Sequence, residues 1–251
     1  MIRTEGIQKR YQSFQALQPL DLHVRKGEVF GFLGPNGAGK TTTIRILSGV
    51  LPPTGGRLEI DGIDMAVDPV QAKARIGYIP DRPYLYEKLT AREMLEFVGG
   101  LYGLDAKVIE TRGTELLEFH GLMEFADELV EGFSHGMKQR LTLSTALLHE
   151  PPLLIVDEPM VGLDPRGARQ IKQVFRDYAE EGRTVFLSTH SLDVAQEVCD
   201  RLAIIHRGRI VAHGAYDEIR ARRAEGAGDL EEVFLRILEE EEEQKHSREA
   251  V

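Results

Sequence analysis

Two stretches of this sequence carry side chains that can act on a phosphate. GPNGAGKT, Gly34 to Thr41, follows the spacing G-x-x-x-x-G-K-T through Gly34, Pro35, Asn36, Gly37, Ala38, Gly39, Lys40 and Thr41, with Thr42 next. Glycines there let backbone N–H groups turn inward on phosphate oxygens, while Lys40 adds a cation able to reach the β- and γ-phosphates. The Thr41 hydroxyl can ligate Mg²⁺. LLIVDE, ending at Glu158, sets two carboxylates after four apolar residues. Asp157 can hold Mg²⁺ through water, and Glu158 can orient an attacking water and take its proton.

Two further segments carry chemistry that their own residues leave open. TVFLSTH puts His190 at the end of an apolar run. FSHGMKQR, Phe133 to Arg140, reads as a metal site at His135, a basic nucleic-acid patch or an anion-binding helix mouth. Metal binding is disfavoured, since no His, Cys or carboxylate stands three or four residues after His135. A nucleic-acid stripe is disfavoured too, because no aromatic residue interleaves with Lys138 and Arg140.

These groups need rigid elements to hold them. EVFGFLG, PLLIVDE and TVFLSTH are compact apolar runs of buried-strand type. TTTIRILSGV has helical spacing through Ile44, Leu47 and Val50, so the phosphate loop lies between a strand and a helix. Gly55-Gly56 and Asp61-Gly62 signal turns around the strand RLEI. Thr90 and Glu93 form a capping box for a helix with Met94, Leu95, Val98 and Leu101 on one face. Helix continues through TELLEFHGL and from Ser134 to Leu148, until Pro151-Pro152 stops it. ARQIKQVFRDYAEEG is an amphipathic helix closed by Gly182, and LAIIHRGRIVAHG a β-hairpin turning at Arg207-Gly208. Strands alternating with helices imply a mostly parallel α/β sheet with a helical insertion between Arg82 and Pro151. Leu230, Val233, Phe234, Ile237 and Leu238 make a separate helical stripe, followed by Glu239 to Glu243.

Composition narrows the field. The 251 residues carry a formal net charge of -10, which argues against general nucleic-acid binding. One cysteine, Cys199, excludes an intramolecular disulfide. No run approaches the roughly 20 apolar residues of a spanning helix, and the N-terminus lacks a signal-peptide core. The expectation is a chain that does not insert in a membrane by itself. A phosphate loop alone also fits small-molecule kinases, GTPases and motor ATPases. GTPase is disfavoured because no N-K-x-D or T-K-x-D string reads the base, and the D-x-x-G string Asp164 to Gly167 is a chance match.

The order of motifs resembles the nucleotide-binding subunit of ABC transporters over nearly the whole chain. The motifs are Gly34–Thr42, IGYIPD ending at Asp81, the helical insertion, FSHGMKQR, LLIVDEP, GLDP at Gly162–Pro165, and STH ending at His190. The resemblance implies a P-loop NTPase core of RecA type, with an antiparallel β subdomain and an inserted α-helical subdomain at about 82–151. It implies an ATPase domain over 1–228 and a C-terminal amphipathic helix with an acidic tail over 229–251. It implies ATP and Mg²⁺ as cofactors, Tyr11 stacked on adenine, and His190 contacting the γ-phosphate while steering Glu158. Tyr11 as an ordinary strand tyrosine is the alternative.

Two subunits of this family close head to tail over two ATP molecules. Ser134 and Gly136 would then complete the partner's phosphate site, and Asp164 would sit at the contact between subunits. The resemblance implies a homodimer, or two different cassettes, driving a separate integral-membrane permease from the cytoplasmic face. DRPYLYEKLT would dock there, with Tyr84 and Tyr86 as candidate contacts. The sequence texture leans toward export. A non-transport ATPase acting as a mechanical clamp is the alternative function.

Two departures stand out. Asp81 occupies the place of a usual glutamine, adding charge near the triphosphate while keeping an acceptor oxygen for Mg²⁺ or water. The usual L-S-G-G-Q is here Phe133-Ser134-His135-Gly136-Met137, which keeps the hydroxyl and one glycine.

Overall fold

A computed structural model describes residues 1–160, 165–223 and Phe234. Two sheets organise the described residues. The first is antiparallel, in the order β2-β1-β4-β5, from β1 (Ile2–Tyr11), β2 (Phe14–Val24), β4 (Gly55–Ile60) and β5 (Ile63–Asp64). The second runs β10-β9-β3-β8-β7-β6, from β3 (Val29–Leu33), β6 (Ile76–Ile79), β7 (Leu153–Asp157), β8 (Thr184–Thr189), β9 (Arg201–His206) and β10 (Arg209–Gly214). Its strands pair in parallel except for the β9–β10 hairpin at the edge.

Every residue of β3, β7 and β8 is buried, because both sheet faces are covered. Side chains alternate between the faces. Phe30, Phe32, Leu153, Ile155 and Phe186 enter one core, shared with α1 (Lys40–Leu47) and the antiparallel sheet. Val29, Leu154, Val156, Val185 and Leu187 enter the other. There they meet Ile171, Val174, Phe175 and Tyr178 of α6 (Pro165–Glu180), and Val194 and Val198 of α7 (Leu192–Val198). Burying Phe32 or Phe186, each at 0% exposure, contributes about 1.5–3 kcal/mol.

Strand β8 lies between β3 and β7, in register as Leu33 with Thr189 and Ser188 with Asp157. The parallel direction therefore delivers the phosphate loop, Asp157-Glu158 and His190 to one edge of the sheet, at the carboxyl ends of the strands.

The insertion holds α3 (Ala91–Leu101), α4 (Ala106–Phe119) and α5 (His135–Leu147) around a third core of Leu95, Leu117, Leu122, Val130, Phe133 and Leu141. Helix α5 straddles two cores, since Leu143, Ala146 and Leu147 pack with the sheet. The capping box at Thr90 and Glu93 is present in both directions. The helical region starts later than residue 82: Asp81 to Leu89 is irregular, and Pro83 interrupts it. Leu101 is 71% exposed rather than on the buried face of α3, and α1 ends before Val50, which is 63% exposed. Gly49, at φ 70°, breaks that helix. Gly55 and Gly56 begin β4 instead of preceding it.

The run IGYI forms strand β6, and α2 (Pro69–Ala74), α7 and α8 (Tyr216–Arg223) are further elements that the patterning above does not identify. The C-terminal stripe and the glutamate run lie outside the described residues apart from Phe234. Its side chain packs beside Leu33, Ala195, Leu202, Ile204 and Ile219.

Candidate functional site

The phosphate loop joins β3 to α1 and is shaped by its glycines. A side chain at Gly34 would meet Ile205 O at 2.3 Å, so the loop lies flat against β9 only with glycine there. Gly39 takes φ 112° at the N-cap of α1, a conformation that L side chains rarely adopt. The first N–H groups of α1 are thereby left facing the loop, where an anion also meets the positive end of the helix dipole.

Lys40 is 7% exposed. Its Nζ donates to Gly34 O at 2.6 Å and to Pro35 O at 3.2 Å, and lies 3.8 Å from Glu158 Oε1. Burial lowers its pKa, against opposing attraction from Glu158 and Asp157.

Asp157 is 1% exposed, and neither carboxylate oxygen makes a hydrogen bond among the described residues. Burial pushes its carboxyl upward; the nearby Ser188 hydroxyl, which stands outside hydrogen-bond geometry, and Lys40 pull the other way, while Asp81 and Glu158 add to the rise. A buried carboxylate without a partner is costly, and a cation is the natural way to relieve it. Thr41 and Asp81 line the same cleft, of about 450 Å³, with Tyr11, Phe14, Ala16, Pro35, Asn36 and Glu158. Among the described residues no three acidic, histidine or cysteine groups converge on a metal position. A divalent cation fits when phosphate oxygens, Thr41 and water supply the remaining ligands.

Glu158 adopts φ 48°, uncommon for a side chain of its size, and its N–H donates to Ser188 O at 3.0 Å. That bend turns its carboxylate from the strand toward the loop. His190 Nδ1 lies 2.9 Å from Glu158 Oε1, and Ser191 caps the helix that follows. The arrangement can hold a triphosphate, a cation and a polarised water.

The hairpin β1–β2 closes the other end of the cleft. Tyr11 and Phe14 pair across its turn and are 43% and 65% exposed. Lys9 Nζ stands 5.5 Å from the Tyr11 ring. The two rings offer a platform for a flat heterocycle. The motif spacing does not single out Phe14 and Ala16; YQSF, two aromatics around a two-residue polar turn, is the signal that points to the Tyr11–Phe14 pair.

Gly34 and Ala38 are buried parts of the loop scaffold rather than cleft lining. Ser134 and Gly136 do not line the cleft of their own chain. Ser134 caps α5, accepting from Met137 N at 3.3 Å, and a Cβ at Gly136 would meet open space. His135 is exposed on the first turn of α5. Asp164 lies outside the described residues.

Comparison with known proteins gives a common answer. Residues 17–161 match the family described as "ABC transporter". The daunorubicin resistance ATP-binding protein DrrA3 of Streptomyces coeruleorubidus is 41% identical over 94% of this chain and 73% of its own length. A solved ATP-binding subunit of an ABC transporter superposes with a TM-score of 0.90 at 34% identity, covering 95% of this chain and 99% of the other. The ATP-binding cassette MJ0796, solved as a dimer after hydrolysis with ADP and Pi, superposes with a TM-score of 0.78 at 27% identity over 86% and 98% of the two chains.

Proposed function

The chain belongs to the ABC transporter family as an ATP-binding subunit, an ATPase, and from that premise we propose that it pairs over two ATP molecules to drive a separate permease. The observation that carries the proposal is the convergence of Lys40, Asp157, Glu158 and His190 on one edge of the parallel sheet.

Tyr11 and Phe14 take the adenine ring. Backbone N–H groups from Gly37 to Thr42, with Lys40, hold the β- and γ-phosphates. The Thr41 hydroxyl, Asp157 and Asp81 are the side chains that would hold Mg²⁺, the two carboxylates through water. When bound, the ion would neutralise charge on the phosphate oxygens. Glu158 accepts a proton from the attacking water. His190 holds the Glu158 carboxylate in place and faces the γ-phosphate.

Ser134 and Gly136 are distant from this cleft in sequence position and absent from its lining. They complete the site of a second subunit, where the capped N-terminus of α5 meets the γ-phosphate. Asp164 belongs to the contact between subunits. Dimerisation of the MJ0796 cassette supports this assembly.

No helix among the described residues is long and apolar enough to cross a membrane. In this reading a separate partner spans the membrane, and this subunit is held peripherally on its cytoplasmic side. A cleft of about 570 Å³ lined by Arg45, Val50, Tyr78, Tyr84, Leu85 and Val98 fits that docking. Tyr84 and Tyr86 are 73% and 60% exposed beside it. Likeness to a daunorubicin resistance protein supports an export role.

Co-expression of this chain with a candidate multi-spanning protein from a neighbouring reading frame tests the assembly. Co-purification lost with Tyr84→Glu, at unchanged ATP binding, is the expected result. Recovery of the tagged chain in a stable complex free of any membrane protein is the opposing one.

A further inference from the structure

The segment leaving Asp81 is stitched to the segment entering α5. Val130 N donates to Leu89 O at 2.9 Å and Glu131 N to Glu87 O at 3.0 Å, and Thr90 bridges Leu129. Lys88 pairs with Glu131 at 2.5 Å. The last link is Lys138 Nζ to Glu87 Oε1 at 2.6 Å, and the Lys138 amide bonds Ser134 O in the first turn of α5. The Lys138 ammonium holds the Glu87 carboxyl below its usual range by hydrogen bond and charge.

The two ends of this stitch belong to different reactions. Asp81 lines the cleft of its own chain, whereas Ser134 and Gly136 do not. The second half of α5 is anchored in the sheet core through Leu143, Ala146 and Leu147. The first turn is held more lightly: Phe133 before it is buried and Met137 packs on the third core, but Ser134 and His135 are exposed. A charge contact one turn from the cap is placed to set its direction.

We propose that Glu87 and Lys138 are positioning residues that orient the capped N-terminus of α5, coupling the Asp81 segment of one subunit to the ATP its signature covers in the next. This rests on the head-to-tail assembly proposed above. With Glu87 side chain 59% exposed, the pair adds little to folding stability, so a structural role alone cannot mimic the effect.

The test uses the full chain carrying Glu158→Gln, with Glu87→Lys, Lys138→Glu and both together. Each is measured for ATP-dependent dimerisation by light scattering, ATP binding by a fluorescent analogue, and thermal midpoint. Each single reversal is expected to weaken dimerisation by about tenfold, with ATP binding changed less than about twofold. The double reversal is expected to return within about threefold of the parent. Singles that dimerise like the parent, or a double no better than the singles, would overturn the positioning role. A parent that binds ATP but never dimerises would overturn the assembly itself, and the inference with it.

Discussion

Nδ1 of His190 lies 2.9 Å from Oε1 of Glu158, joining the ends of two adjacent parallel strands. Lys40 stands 3.8 Å from the same oxygen. Glu158 thus meets two nitrogens before any phosphate arrives, and its carboxylate is held close to where a γ-phosphate would sit.

Removal of the imidazole releases that carboxylate. His190→Ala is expected to lower kcat for ATP by roughly ten- to a hundredfold, with KM changed far less. Steady-state ATPase assays across nucleotide concentration check the split. A raised KM at unchanged kcat would mean that His190 binds nucleotide only.

The aromatic platform contributes to binding, not to the chemical step. Tyr11→Ala is expected to raise KM for ATP by about tenfold, in line with stacking energies of about 1–3 kcal/mol, whereas Tyr11→Phe keeps it. Equal KM values for all three proteins would remove Tyr11 from the base site.

Asp157 is costly to the empty fold. Its carboxyl pKa is raised in the folded chain, chiefly by burial, so the folded state holds the proton more tightly than the unfolded one. Stability is therefore lost as pH rises through the carboxylate range and is recovered on acidification. Asp157→Asn is expected to raise the melting temperature at pH 7 without nucleotide by a few degrees, reflecting about 1–3 kcal/mol, while abolishing Mg²⁺-dependent hydrolysis. A lower melting temperature would show that the carboxylate is satisfied in the empty protein. Asp81→Gln, by contrast, is expected to retain turnover.

His120 titrates in the opposite sense. Burial pushes its pKa down to about 4, with Nδ1 at 2.8 Å from Ser144 Oγ and 3.0 Å from Leu116 O. The unfolded chain therefore binds more protons between pH 6.5 and 4, and stability falls as pH drops through that window. Full protonation costs about 3 kcal/mol. His120→Phe leaves Ser144 bonded to Arg140 O and is expected to flatten this slope in urea denaturation. An unchanged slope would assign it to other groups.

Sequence spacing reveals the site more fully than it reveals the fold. Gly34–Thr42, Asp157, Glu158 and His190 are legible because each follows an apolar run buried on both faces, which sequence marks plainly. Strand β6 is harder to see, since IGYI is four residues long and its neighbour β7 lies 77 positions later, from Ile76 to Leu153. Phe14 is legible only through its turn. Hairpin pairing around Gln12-Ser13 puts it opposite Tyr11. Leu101 fits a helical stripe yet faces solvent, because helical spacing cannot say where the packing partner ends. The altered signature is legible as a cap, through Ser134, but its tie to Glu87 spans 51 positions and needs the structure.

The central claim is that Glu158 acts on water inside a nucleotide-closed pair of subunits. Wild type and Glu158→Gln should be compared for ATP hydrolysis and for molecular mass with and without ATP and Mg²⁺. The expected result is a fall in hydrolysis of at least about a hundredfold, with an ATP-dependent dimer that accumulates in the variant. Hydrolysis at the wild-type rate, or a variant that binds ATP yet stays monomeric, would contradict it.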